Sequence, residues 1–303
     1  MSTILTGWDT STNLDVFKTL VKKTFDSTDR EAIVEANRLY NMEKTSDLYE
    51  RTMRFAGMER GVEIAEGGEI PILAPKFGQT KDYTVAEYGL GFRVSWLFGK
   101  TNKWDLVRKF TKNMKMNQRE LKEAELAKLW NSPTATYVGY GGTLHLAENS
   151  HTCLDDDAST YDNYGAVAFS VTGMESAKYY FDTLKDDQGN RFFAKPDTLY
   201  HCPYLETQVW EVLNSSGKPH ELSNTENRYE GMIKAFNYHY LTGTTSWGVV
   251  AKNHPKYDVN CFTLSEPDVE VKDAPNNSRD KIVTSLQAFS FGFGDPRMCW
   301  VGF

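Results

Sequence analysis

Long apolar runs are missing from this chain. No window of about 18 apolar residues occurs, so a membrane-spanning helix is not expected. Runs of Lys or Arg are short, the formal net charge is −7 and the pI is near 5.5. Direct high-affinity nucleic-acid binding is therefore disfavoured, while a negative surface that weakly repels nucleic acid is compatible with enclosing it. Cysteine is scarce: Cys153, Cys202, Cys261 and Cys299 stand far apart with no C-x-x-C pair. That argues against a zinc ribbon or a disulfide framework and fits free thiols in a reducing compartment. Residues 1–8 have no basic stretch leading into an apolar one, so no secretory signal is expected.

Catalytic signatures are missing too. Gly89-Leu90-Gly91 and Gly292-Phe293-Gly294 lack the third glycine and the strand–turn–helix setting of a dinucleotide site. There is no G-x-S-x-G elbow and no nucleophile signature around any cysteine. Glu59, Glu63, Glu66 and Glu69 are close in sequence, but on an extended arm nothing holds them as a pair with split pKa values. The best metal candidate is His145, His151 and Cys153 beside Asp155-Asp156-Asp157. Its spacing matches no zinc signature, and a solvated loop is the preferred reading. No cofactor is expected.

What the chain does have is globular. It is 40% hydrophobic and 25% charged over 303 residues, enough for a core and one or two domains. Aromatics are abundant, which suits extended interfaces as well as cores. Residues 61–81 are Gly-rich and β-prone, with Gly67-Gly68 and Gly78 permitting turns and Pro71 and Pro75 denying ladder donors. This reads as a long two-stranded arm with a reach of roughly 30 Å. It has too few apolar residues for a core of its own, so its partner is expected to be another copy of the chain. A strand is expected at 83–95.

Residues 102–131 predict one long helix, on the order of 45 Å, with Trp104, Val107, Phe110, Met114, Leu121, Ala124 and Leu129 on one face. Packing on a sheet suits this face better than a coiled coil. Before the arm, Leu14, Phe17, Leu20, Val21 and Phe25 predict a helix, and Ile33, Ala36, Leu39, Tyr40 and Met42 a second one. Together they predict a helical arm, mobile unless it docks on a partner. Further helices are expected at 173–185 and 205–213, strands near 198–203, 232–241 and 247–252, and two late strands around a polar loop at 273–279.

This order of elements carries a resemblance. So do Lys81-Asp82-Tyr83-Thr84-Val85-Ala86-Glu87-Tyr88-Gly89-Leu90-Gly91-Phe92-Arg93-Val94-Ser95, Tyr140-Gly141-Gly142-Thr143-Leu144-His145, Asn149-Ser150-His151, Pro196-Asp197-Thr198-Leu199-Tyr200-His201-Cys202-Pro203-Tyr204-Leu205-Glu206 and Trp247-Gly248-Val249-Val250-Ala251. The chain resembles the major capsid proteins of tailed bacteriophages, the Hong Kong 97-type fold, and within them the Mu-like major head subunits. The resemblance implies an α+β fold. Its parts would be an N-terminal helical arm (1–54), an E-loop with flanking strands (55–99), a peripheral domain with the spine helix (100–165), an axial domain (166–252), peripheral strands with the P-loop (253–294) and a C-terminal strand returning to the axial domain (295–303).

It implies hexamers and pentamers closing an icosahedral shell around double-stranded DNA in a virion, assembled in the host cytoplasm. Scaffold, portal and decoration proteins would be partners; no membrane and no enzymatic activity are implied. The expected inter-subunit contacts are Gly67, Gly68, Ile70, Ile72, Lys76, Phe77, Lys81, Asn276, Asn277 and Arg279. Lys76 and Lys81 are expected near the arm's tip. Covalent lysine cross-linking, known in some members, does not transfer, because no matching acid–Lys–Asn set is visible. The alternatives are an encapsulin-type compartment shell and, ranked lower, a metal-dependent enzyme.

Overall fold

Helix α1 (Ser11–Ser27) sets Phe17, Val21 and Phe25 one turn apart, and all three are buried. The structure is a computed structural model that describes residues 11–28, 34–55, 61–72, 77–101, 104–152, 160–187, 189–217, 226–275 and 279–303. The second expected helix is replaced by one 3₁₀ turn, Ala36–Arg38, and strand β1 (Asn41–Lys44). The cause is tertiary. The Glu123 carboxylate accepts from the backbone N–H groups of Glu35 and Ala36 at 3.3 and 3.0 Å, and Ala36, Leu39 and Tyr40 are buried in the core.

The arm rises from β2 (Tyr49–Phe55) and returns through β3 (Phe77–Thr84), an antiparallel ribbon. The strand expected at 83–95 is broken at Val85, whose N–H bonds the Leu48 carbonyl. There the chain changes partners: β3 pairs with β2, whereas β4 (Ala86–Val94) joins the main sheet. Helix α2 (Trp96–Lys100) starts on a Ser95 cap and leads to α3 (Trp104–Asn131), 28 residues and about 42 Å long.

Short ribbons follow: β5 (Tyr137–Gly139) with β6 (Gly142–Leu144), and β7 (His151–Thr152) with β8 (Thr160–Tyr161). Next come β9 (Tyr164–Gly165), α4 (Val171–Thr183), β10 (Thr198–His201), α5 (Glu206–Asn214), β11 (Lys234–Asn237) and β12 (Trp247–Val250). The long hairpin β13 (Val259–Asp273) and β14 (Lys281–Phe293) precedes β15 (Cys299–Gly302).

Two sheets organise these elements. A four-stranded sheet has the order β1-β13-β14-β4, with β1 parallel to β13. A five-stranded sheet has the order β11-β10-β12-β15-β9. Helix α3 serves both. Its first half packs with α1 on the four-stranded sheet, where Val107 and Met114 meet Phe17, Val21, Phe25, Val94, Val271 and Val283. Helix α1 thus docks on its own chain. The second half of α3 places Leu126, Ala127, Leu129 and Trp130 in a larger core with Tyr200, Trp247, Phe289 and Phe293, and Trp130 meets Tyr200 edge-on at 4.8 Å.

The buried face of α3 differs from the apolar stripe read in its sequence. Phe110 and Ala124 are exposed, while Thr111, Lys115, Gln118 and Glu123 are buried. Each of these polar groups has an identified role. Gln118 donates to the Ser285 carbonyl at 3.0 Å and accepts on its own backbone carbonyl from Gln287 at 2.8 Å, which fixes the helix to β14. The Lys115 ammonium sits 4.5 Å over the Phe25 ring. Thr111 bonds back to Val107, and Glu123 caps the 3₁₀ turn.

Candidate assembly surface

The described part of the arm between β2 and β3 is bare. Every residue of 61–72 is exposed, including Val62, Ile64, Ile70 at 77% and Ile72 at 99%. Gly68 N–H bonds the Ala65 carbonyl at 2.8 Å, closing a turn in which Gly67 takes a φ of 81°. That left-handed value is where a type II turn wants glycine. Four large apolar side chains on one short segment, with nothing among the described residues to cover them, mark a surface that something else covers. Lys76 lies outside the described residues, and Phe77 opens β3.

For Lys81 the structure corrects the expectation. It is not at the arm's tip but at its root, in β3, and only 6% exposed. Its ammonium donates to the Phe293 carbonyl at 2.5 Å and lies 4.4 Å over the Tyr83 ring. Burial pushes its pKa down to about 8, with Asp258 opposing the shift. The unfolded chain, at the ordinary lysine value of 10.5, therefore binds more protons than the folded one above about 8. Stability rises with pH in that window, and below it the buried ammonium is a standing cost. Lys81→Met is expected to abolish about 1–2 kcal/mol of that rise between roughly pH 8 and 9.5. Urea unfolding at several pH values, compared with the parent protein, reads this; equal slopes in both proteins would refute it.

The root is held by a buried ion network. Arg54 of β2 reaches Asp187, in the turn after α4, at 2.8 Å, and Asp295, before β15, at 3.3 Å. Arg297 pairs with the same Asp187 oxygen and lies 4.9 Å over the Tyr161 ring. Asp187 and Arg297 are each 3% exposed. Beside them the Tyr140 hydroxyl bonds the Asp258 carboxylate at 2.7 Å and the Thr52 hydroxyl of β2 at 3.1 Å. Burial and Asp258 push that phenol's pKa up. The arm is thus anchored to loops of the five-stranded side by charge-assisted bonds in a poorly solvated place, where such bonds are directional and strong. Farther out, Arg51 clasps Asp82 across the ribbon at 2.6 and 2.7 Å in solvent, a contact worth little. Sequence reasoning misses the buried network, because its members come from three distant segments with no shared motif.

The β13–β14 hairpin carries the expected polar loop, with Asn276 and Asn277 outside the described residues. Arg279 is exposed but lies 5.8 Å over the Trp96 ring of its own chain. Asp280 next to it accepts from the Trp96 backbone N–H at 2.9 Å and from Arg93 at 2.8 Å. Four further exposed aromatics, Tyr179, Phe193, Tyr204 and Trp210, stud the five-stranded side, and no sequence signal singles them out.

The described members of the metal candidate, His145 and His151, are each engaged in hydrogen bonds of their own. His145 Nδ1 bonds the Thr134 carbonyl at 2.8 Å, while His151 is buried against Tyr161 and bonded to Asn163 at 2.9 Å. Burial pushes the His151 pKa down, with Glu148 opposing, so its ring is a neutral core group. Cys153 and Asp155–Asp157 lie outside the described residues, and no metal-holding group occurs among the described ones. The other cysteines, Cys202, Cys261 and Cys299, are free and buried, and no described helix is long and apolar enough to cross a membrane.

No protein-family model and no curated protein matches the chain. Solved structures do. The capsid of the cyanophage P-SCSP1u matches over 90% of this chain and 88% of its own, with a TM-score of 0.59 at 12% identity. The structure from Mycobacterium phage Patience matches over 95% and 86%, with 0.55 at 11%. A virus-like particle from Pyrococcus furiosus matches over 93% and 97%, with 0.53 at 9%. The fold is the Hong Kong 97-type capsid fold.

Proposed function

We propose that this chain is the major shell subunit of a tailed, double-stranded DNA bacteriophage, self-assembling into an icosahedral head. The observation that carries the reading is the arm: 61–72 is wholly exposed and apolar-rich, yet springs from a root locked by Arg54, Asp187 and Arg297. A rigidly aimed, uncovered arm suits a repeated neighbour in a closed assembly. In this reading the helix α1 side, α3 and the four-stranded sheet form the peripheral body, the five-stranded sheet with α4 and α5 the axial one, and 273–279 the P-loop. Hexamers and pentamers would form around the axial body, with scaffold, portal and decoration proteins as partners, in the host cytoplasm. The Mu-like affiliation rests on the sequence segments that carry the resemblance and is part of the proposal.

Electron micrographs of the purified protein test this. Closed icosahedral shells are the expected result; a monomer under every ionic condition would refute it. A compartment shell that stores protein cargo is the second reading, favoured by the likeness to the Pyrococcus furiosus particle. Nuclease-protected DNA inside particles isolated from their source supports the first reading, and a co-purifying cargo enzyme supports the second.

A further inference from the structure

The five-stranded sheet gathers three chain segments at one end. β11 runs parallel to β10 and β12 antiparallel to it, so the residues entering β10 and β11 meet those leaving β12. Asp197 ties the three together. Its carboxylate accepts from the Lys252 and Asn253 backbone N–H groups at 3.2 and 2.8 Å, and its carbonyl accepts from the Lys234 N–H at 3.3 Å. Between these segments lies a cleft of about 460 Å³, whose lining includes Phe193, Lys195, Met232, Lys234, His254 and Pro255. Phe193, Lys195 and Lys234 are exposed. The two lysines outnumber Asp197, the one carboxylate among the described lining residues, which is already engaged by backbone N–H groups. His254, its pKa pushed down by burial and by Lys256, adds no charge at neutral pH. The cleft is thus apolar with a cationic rim.

The arm has the complementary composition. Residues 61–72 hold Glu63, Glu66 and Glu69 and no base, interspersed with the exposed Val62, Ile64, Ile70 and Ile72. All of 61–72 is exposed, so a subunit's arm does not fill its own cleft. Yet arm and cleft are built on one frame. Asp187, which locks Arg54 at the arm's root, lies in the turn after α4. That turn is closed by the Phe192 N–H on the Leu184 carbonyl at 3.2 Å, and it delivers Phe193 to the cleft. A donor and an acceptor held at a fixed angle on one chain make a heterologous contact, the kind that propagates head to tail and closes into rings.

We infer that this cleft receives the arm of a neighbouring copy, with Glu66 and Glu69 facing Lys195 and Lys234 and the arm's isoleucines against Phe193 and Met232. This rests on the reading of the chain as a self-assembling shell subunit. Ion pairs at such a rim add little adhesion and instead set register and exclude wrong neighbours. The apolar floor of the cleft supplies the adhesion.

The test is charge reversal in full-length chains. Glu66→Lys/Glu69→Lys reverses the arm, and Lys195→Glu/Lys234→Glu reverses the cleft. All four side chains are exposed, so melting temperatures should stay parental. Each variant alone is expected to lose particle yield by on the order of tenfold or more, because like charges then meet. A one-to-one mixture of the two is expected to regain assembly, since a lysine arm meets a glutamate cleft and a glutamate arm meets a lysine cleft. The chain carrying all four changes should regain it as well. Light scattering and micrographs read both. Cleft-reversed chains that assemble like the parent would overturn the inference. So would folded variants that neither the mixture nor the fourfold change rescues. Either result with shells in the parent refutes the cleft alone, whereas absent shells in the parent refute the shell reading and the inference with it.

Discussion

Asp187→Ala is expected to lower the unfolding free energy by about 3–5 kcal/mol. Asp187 is buried between two buried arginines, Arg54 and Arg297, and accepts from both. Removing it leaves two guanidinium groups in a poorly solvated place with Asp295, itself 3.3 Å from Arg54 and 3.9 Å from Arg297, as their remaining carboxylate in the cluster. The penalty is mostly that of stranded charge, not the net worth of the pair. Urea unfolding followed by tryptophan fluorescence measures it, and a loss below about 1 kcal/mol would place the network among solvated surface pairs. Asp187→Ala/Arg297→Met should recover part of the loss, since replacing both partners by apolar groups removes the stranded charge.

Ile70→Asp/Ile72→Asp is expected to do the opposite: leave the subunit intact and abolish assembly. Both side chains are almost fully exposed, so their replacement should change subunit stability by no more than about 0.5 kcal/mol. If each is buried by a neighbour, each contributes roughly 1.5–3 kcal/mol to that contact. Losing both weakens each subunit contact by on the order of a hundredfold or more, before the cost of burying a carboxylate. A shell multiplies that loss over every copy. Light scattering and particle yield, read beside an unchanged melting temperature, decide the matter; shells at parental yield would remove the arm from the interface.

Much of this architecture is legible in the amino-acid sequence. Periodicity locates α1 and α3, and turn chemistry locates the arm and the β13–β14 hairpin, because these elements are long and locally consistent. Apolar spacing misleads at 33–42. Ala36, Leu39 and Tyr40 are indeed buried, but the backbone there is set by Glu123 and by pairing with β13, neither of which is local. The buried face of α3 is misread for a related reason. Gln118 and Lys115 look like surface residues until Gln287 and Phe25 arrive from elsewhere to satisfy them. Lys81 is misplaced because nothing in residues 76–81 shows where the arm ends and its root begins. Of the candidate assembly surface, the apolar arm can be read from sequence, since exposure of Ile70 and Ile72 follows from a segment too thin to cover itself. The arginine–aspartate root cannot, since it exists only when separate segments are brought together.

The order in which the two sheets collect their strands has a mechanical consequence. The chain enters the four-stranded sheet through β1 and β4, crosses along α3 to the five-stranded sheet, returns through β13 and β14, and crosses again to place β15 between β12 and β9. Three crossings stitch the halves together, and the second half of α3 lies in the core they share. Tension pulling the halves apart must be carried by all three threads at once. A single backbone break in one crossing would leave the other two bearing load, so the two halves would stay joined after one nick.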